Sequence, residues 1–93
     1  MSSTDPFEQL KNRYLSSFED KYLLIKKALD NRDHPTLCHL IHQLAGSSGS
    51  YGIDTVCEAC THLEQLLQQN KTVNETVQHK TKEVLELINQ AKT

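Results

Sequence analysis

The stretch IHQLAGSSGSYG, residues 41–52, opens on a helical apolar period and then places Gly46, Gly49 and Gly52 within seven residues, just after His42. A linker, a phosphate-cradling loop and a deliberately slim helix all fit that composition. Each implies a different molecule. The apolar spacing decides between them: Leu37, Leu40, Ile41, Leu44, Ser48 and Tyr51 recur at the 3.6-residue period of one helix face, straight through the glycines. On the glycines alone a loop starting at Gly46 is an equal reading; the spacing through Ser48 and Tyr51 favours a helix. Gly52 then falls where a helix end often needs positive φ.

Three more segments share that period. Asp5-Pro6 opens the first, with Asp5 as N-cap and Pro6 at the first helical position. Phe7, Leu10, Tyr14, Phe18, Ile25, Ala28 and Leu29 make its stripe, with Ser16-Ser17 as a bend or an interruption. Asn31-Arg32-Asp33-His34-Pro35 is a turn, and the second helix begins near Pro35. The third runs from Ile53 or Asp54 through Val56, Ala59, Cys60, Leu63 and Leu67 to about Asn70. The fourth starts from a capping box at Thr72-Val73-Asn74-Glu75 and buries Val73, Val77, Val84, Leu87, Ile88 and Ala91. Strand signals are almost absent. Short connections between long helices imply antiparallel neighbours. The expectation is an all-α, up-and-down antiparallel four-helix bundle, one domain over residues 1–93.

Composition narrows the function. The formal net charge is -2 in 93 residues, with the two signs mixed along the chain. That leaves no electrostatic footprint for nucleic acid or an anionic membrane. No apolar run is long enough to span a bilayer. The beginning, MSSTDPFEQLKNR, lacks an apolar signal core and reads as the start of a cytoplasmic protein. Three cysteines, Cys38, Cys57 and Cys60, argue for reduced thiols rather than a disulfide framework.

His42 lies about 140° round the helical wheel from Leu37, off the apolar stripe and towards solvent. Its wheel neighbours are Cys38, Ala45, Gly46 and Gly49, all small. A glycine inside a helix costs about 1 kcal/mol relative to alanine, so two beside one imidazole call for a compensating reason. Close approach of a partner to the His42 ring supplies one. Antiparallel counting about the Tyr51-Gly52 turn places residues 60 to 64 opposite His42, so Glu64 can accept a hydrogen bond from its Nδ1. The alternative is that Glu64 is a solvated helix charge.

The motif His42, Leu44, Gly46, Ser47, Ser48 and Gly52, within HQLAGSSGSYG, resembles the signature of histidine-containing phosphotransfer (HPt) domains, H-x-L-K-G-S-S/A-x-x-x-G, in an H-x-L-A-G variant. The likeness extends to the preceding helix, the turn Asn31-Arg32-Asp33, and Cys57-x-x-Cys60-x-x-Leu63-Glu64. It implies a phosphorelay intermediate of two-component signalling: His42 accepts a phosphoryl group from a receiver-domain aspartate and passes it to another receiver. The partners implied are a response-regulator receiver and a hybrid sensor histidine kinase. The carrier is a monomer without nucleotide-dependent kinase activity. It needs no cofactor of its own, Mg2+ being expected on the receiver. Gln43, Ala45, Gly46, Gly49 and Glu64 are the supporting and docking residues implied. Ala45 stands where the family commonly has a lysine, which bears on how the phosphohistidine charge is balanced.

Other chemistries fare worse. Cys57-Glu58-Ala59-Cys60-Thr61-His62 misses the haem-attachment spacing by one residue, and no strand precedes the pair as a thioredoxin-like site requires. Cys38 and His42 at i, i+4 with two cysteines on the next helix invite a zinc site, yet His42 faces solvent and Cys60 the core. GSSGSYG lacks the strand and lysine of a P-loop. His34, His39, His62 and His79 read as surface or turn residues without partners. The competing function is a non-catalytic helical adaptor or zinc-binding bundle with an incidental surface histidine.

Overall fold

A computed structural model describes residues 6–92, so the Asp5 cap lies outside the described residues. Five helices follow one another: α1 (Pro6–Ser16), α2 (Phe18–Asp30), α3 (His34–Ser50), α4 (Asp54–Gln69) and α5 (Glu75–Ala91). The first expected segment is therefore two helices. The break at Ser17 has a local cause. The Ser16 and Ser17 hydroxyls donate to the Arg13 and Tyr14 carbonyls at 2.7 and 2.6 Å, and the Ser17 amide turns back to Tyr14 O at 3.0 Å. Serine hydroxyls offered to nearby carbonyls compete with the helical ladder.

Helices α2 to α5 form the bundle. α3 packs most extensively on α4, α4 on α5, and α2 closes the ring against both α3 and α5. Phe18, Ile25, Leu37, Ile41, Leu44, Val56, Leu63, Leu67, Val77, Val84 and Ile88 fill the centre. Phe7 and Leu10, placed on the first stripe by periodicity, remain 50% and 47% exposed because α1 lies outside that ring. Ser48 and Thr81 are the polar residues of the described core. Each is satisfied along its own helix, Ser48 Oγ by Leu44 O and Thr81 Oγ1 by Val77 O. Buried hydroxyls so paired avoid the cost of an orphaned polar group.

The helix ends are chemically specified. α3 starts on Asp33, whose carboxylate accepts from the Thr36 amide and hydroxyl at 3.3 and 2.7 Å, with Pro35 in the first turn. It ends in a Schellman motif: Gly52 at φ 73° lets its amide reach Gly49 O while Ile53 N reaches Ser48 O at 2.8 Å. α2 ends the same way, with Asp33 N on Ala28 O and Arg32 N on Leu29 O, but the left-handed residue is Arg32 at φ 54°.

Two local expectations give way. The cap of α5 is Asn74, not Thr72: Asn74 Oδ1 accepts from Val77 N at 2.9 Å, and Asn74 Nδ2 donates to Asn70 Oδ1. Asn74 itself is extended, at φ -78° and ψ -177°, and Glu75 is the first helical residue, so Val73 is buried from the loop before the helix. His34 is not a free turn residue either. Its Nε2 lies 2.9 Å from Leu67 O and 2.6 Å from Asn70 O. Carbonyls only accept, so Nε2 carries the proton and ties the start of α3 to the unpaired end of α4.

Arg32 has no Cβ-free route into the left-handed region, and glycine does. Arg32→Gly is expected to stabilise the fold by about 0.5–1 kcal/mol, the scale of αL relief at a helix C′ position. Urea unfolding followed by circular dichroism measures it; an unchanged or lower midpoint would contradict this account.

The exposed histidine and its carboxylate

The second half of α3 is narrow because its side chains are small: Ala45, Gly46, Ser47, Ser48, Gly49 and Ser50 follow one another. α4 lies against it in the opposite sense. Cys57 meets Gly49 and Ala45, Glu64 meets His42, and Leu67 and Asn70 meet His34. This register brings Glu64 to the position that antiparallel counting assigned it. His42 Nδ1 is hydrogen-bonded to Glu64 Oε2, with the imidazole side chain 75% exposed and the glutamate 24%. A carboxylate can only accept, so Nδ1 carries a proton, and in the neutral ring the lone pair is then on Nε2. An exposed pair of this kind adds little to stability, of order 0–1 kcal/mol. Its consequence is orientation: one tautomer and one ring position.

The two helical glycines separate. A Cβ at Gly46 would meet nothing within 4 Å, so nothing inside the molecule requires glycine there. A Cβ at Gly49 would sit 3.2 Å from Cys57 Sγ, tighter than ordinary contact. Gly49 therefore has an internal reason, the close passage of α4. Both glycines are exposed, and only at Gly49 does a neighbouring atom stand close to where a side chain would begin. Ala45 is a buried member of this stretch. It is 9% exposed, with its carbonyl accepting from Cys57 Sγ at 3.3 Å, and lies beneath the surface as support.

Gln43 is exposed on the other flank, towards α2. There a groove of about 390 Å3 is lined by Tyr14, Leu24, Leu40, Gln43 and Ser47 among others. Leu24 is 53% exposed at its edge. Tyr14 and Ser47 share a hydrogen bond of 2.5 Å between their hydroxyls. Sequence reading found Tyr14 as a stripe residue and Ser47 as a motif residue, but no periodicity signals that they meet across two helices.

Cys60 is fully buried and Cys38 and Cys57 are half-buried, all three free thiols. Among the described residues no group of three or more His, Cys, Asp or Glu side chains is placed to hold a metal ion. Burial pushes the Cys60 thiol up to about 12, with Cys57 and Glu64 adding to the effect. Burial raises the Tyr14 phenol too, against the lowering influence of its Ser47 hydrogen bond.

Among the exposed histidines, His42 is held through Nδ1 by a carboxylate from the neighbouring helix. Residues 9–93 match the family model of the Hpt domain. The chain belongs to that family, the histidine phosphotransfer module of phosphorelays in two-component signalling. Its members carry phosphoryl groups between receiver domains and histidine kinases and are not themselves kinases. No curated protein and no solved structure matches the chain.

The thiol and phenol shifts make a pH prediction. Both groups are neutral when protonated and have folded values above their unfolded ones, about 9 and 10. Their stabilising share is therefore complete below those values and lost as pH rises through the folded ones. The urea midpoint is expected to fall as pH rises from 9 towards 11, and to fall less steeply in Tyr14→Phe. A flat profile over that interval would contradict the assigned burial effects.

Proposed function

We propose that His42 is the phosphoacceptor and that its Nε2 is the reacting atom. The observation that carries this reading is the exposed His42 ring tied through Nδ1 to Glu64, beside a Gly46 that nothing internal requires. The Nε2 lone pair attacks the phosphorus of a receiver's aspartyl phosphate. The Nε2–P bond forms as the P–O bond to aspartate breaks, and the electron pair leaves on the aspartate carboxylate. Nδ1 keeps its proton throughout, and the positive charge of the phosphorylated ring is balanced by Glu64. The second transfer is the reverse of the first, with the aspartate of the next receiver as nucleophile.

Phosphoryl transfer asks for positioning and charge neutralisation more than for covalent assistance from the carrier. The buried Ala45 supplies no cation, so neutralisation falls to the receiver, with its own Mg2+ and lysine. The receiver docks over His42 and Gly46 and extends across Gln43 into the groove edged by Leu24 and Leu40. Gly49 is exposed on the same face, and the buried Ala45 supports it from below.

The working unit is one domain over residues 1–93, a cytoplasmic monomer with no nucleotide-dependent kinase activity and no nucleic-acid partner. The opposed register of α3 and α4 and the short loops support an up-and-down antiparallel order for the whole bundle. No helix of the described residues is long and apolar enough to cross a membrane. The mixed charges and the exposed site agree with a soluble protein partner.

The deciding experiment is transfer from a phosphorylated receiver of the same organism to wild type and to His42→Gln. Acid-labile label is expected on wild type alone; label retained by His42→Gln would move the site elsewhere and defeat the assignment. A companion variant addresses docking. Gly46→Glu should leave stability within about 0.5 kcal/mol, the usual range for surface changes, while lowering the transfer rate at least tenfold, order-of-magnitude for a side chain placed across a docking face. Unimpaired transfer by Gly46→Glu would remove Gly46 from the interface.

A further inference from the structure

α1 differs from the other helices in how it is held. None of its residues is buried, whereas every other helix contributes several to the core. It is joined to α2 through Ser17, which starts α2 without any side-chain capping bond. The fastening is concentrated at one place. The Tyr14 ring stacks on Tyr51 at 4.5 Å and meets Phe18 edge-on at 5.1 Å. Phe7, one helical repeat earlier, stacks on the same Tyr51 at 6.2 Å. The Tyr14 hydroxyl is bonded to Ser47, Lys21 Nζ lies over the Tyr14 ring at 5.2 Å, and Leu15 packs partly on the core. An eleven-residue helix is marginal in water by itself, so α1 keeps its order only while these contacts last.

The same Tyr14 is a wall of the groove that runs alongside Gln43 and Ser47 on α3. Whatever loosens α1 therefore removes part of the surface next to the histidine. The buried core is built wholly from residues of α2 to α5 and the loop residue Val73, with Tyr14 and Leu15 of α1 packed on it from outside.

We propose that α1 is a fastened arm rather than a member of the bundle: it opens as a unit about Ser17 while α2 to α5 stay folded, and closed it supplies the Tyr14 wall on which the receiver docks. The docking half of this inference rests on the proposed phosphorelay function; the opening half does not. Closure then sets the affinity for the receiver and leaves the chemistry at His42 untouched, because the His42 to Glu64 bond lies on the opposite flank, between α3 and α4. A protein with a large open fraction would have its apparent affinity lowered by that fraction.

Amide hydrogen exchange by NMR on the full chain, with Tyr14→Ala and Tyr14→Phe, tests the opening. In wild type, the amides of residues 10–16 are expected to exchange at least tenfold faster than those of the α3 and α4 core. Tyr14→Ala should erase α1 protection while α3 and α5 change less than threefold. Tyr14→Phe, which keeps the stacked ring and loses the Ser47 bond, should fall between. Equal protection of α1 and the core in wild type, or a parallel loss across all helices in Tyr14→Ala, would overturn the arm. With a receiver phosphorylated by acetyl phosphate, Tyr14→Ala should raise KM at least threefold at unchanged kcat. An unchanged KM, or a fall in kcat alone, would overturn its docking role. Failure of wild type itself to take phosphate would instead count against the phosphorelay reading, and the exchange data would still decide whether the arm opens.

Discussion

The close passage of α4 across the slim half of α3 is the constraint on which the rest depends. Gly49 leaves Cys57 Sγ no room to spare, and Cys57 in turn donates to the Ala45 carbonyl. Those contacts set the register between the two helices near the Tyr51-Gly52 turn. His34, bonded to the last carbonyls of α4, sets it at the other end. With both ends pinned, Glu64 has one place to be, and that place is under the His42 ring. A site assembled from one side chain on each of two rigid helices needs this kind of framework, since small misplacements of a reacting group are costly.

The framework also explains why so exposed a histidine is well defined. A surface imidazole usually samples several rotamers and two tautomers. Here one hydrogen bond to an acceptor-only partner selects the Nδ1–H form and aims the other nitrogen outward. The bond contributes little to folding; under the proposed function its value lies in what it presents to an incoming phosphorus. The buried Ala45 supplies no cation at that position, so on the proposed mechanism charge neutralisation is left to the partner.

Around this core the molecule is asymmetric. On the α4 side the histidine is supported by a tight, fully packed helix pair. On the α2 side it borders an open groove walled by Lys21, Leu24 and Ile25 of α2 and by Tyr14 of α1, a helix with no buried residue. The closely packed side thus holds the imidazole, and the less buried side borders the groove. Elements that move are drawn from the least buried parts of a fold, and α1 is that part here.

Much of this was legible in the residues alone. Apolar period predicted the buried faces of the four bundle helices, because burial and helical geometry impose the same repeat wherever a helix packs on one side. The motif pointed to His42, and counting back from a tight turn reached Glu64, because antiparallel register follows from loop length. What sequence could not supply was the consequence of packing at single atoms. Gly46 and Gly49 look alike in one dimension, yet one faces open solvent and the other a sulfur atom. His34 reads as a turn residue until the end of α4 is placed beside it, and Ser16-Ser17 reads equally as bend or break until hydroxyls choose between helix and turn. Ala45 and Gly46 both neighbour His42 on the wheel, but Ala45 is buried beside Cys57 of α4 and Gly46 is open. Local pattern decides which face of a helix is buried. Only the tertiary structure decides what each buried or exposed atom meets, because those distances depend on residues far apart in the chain.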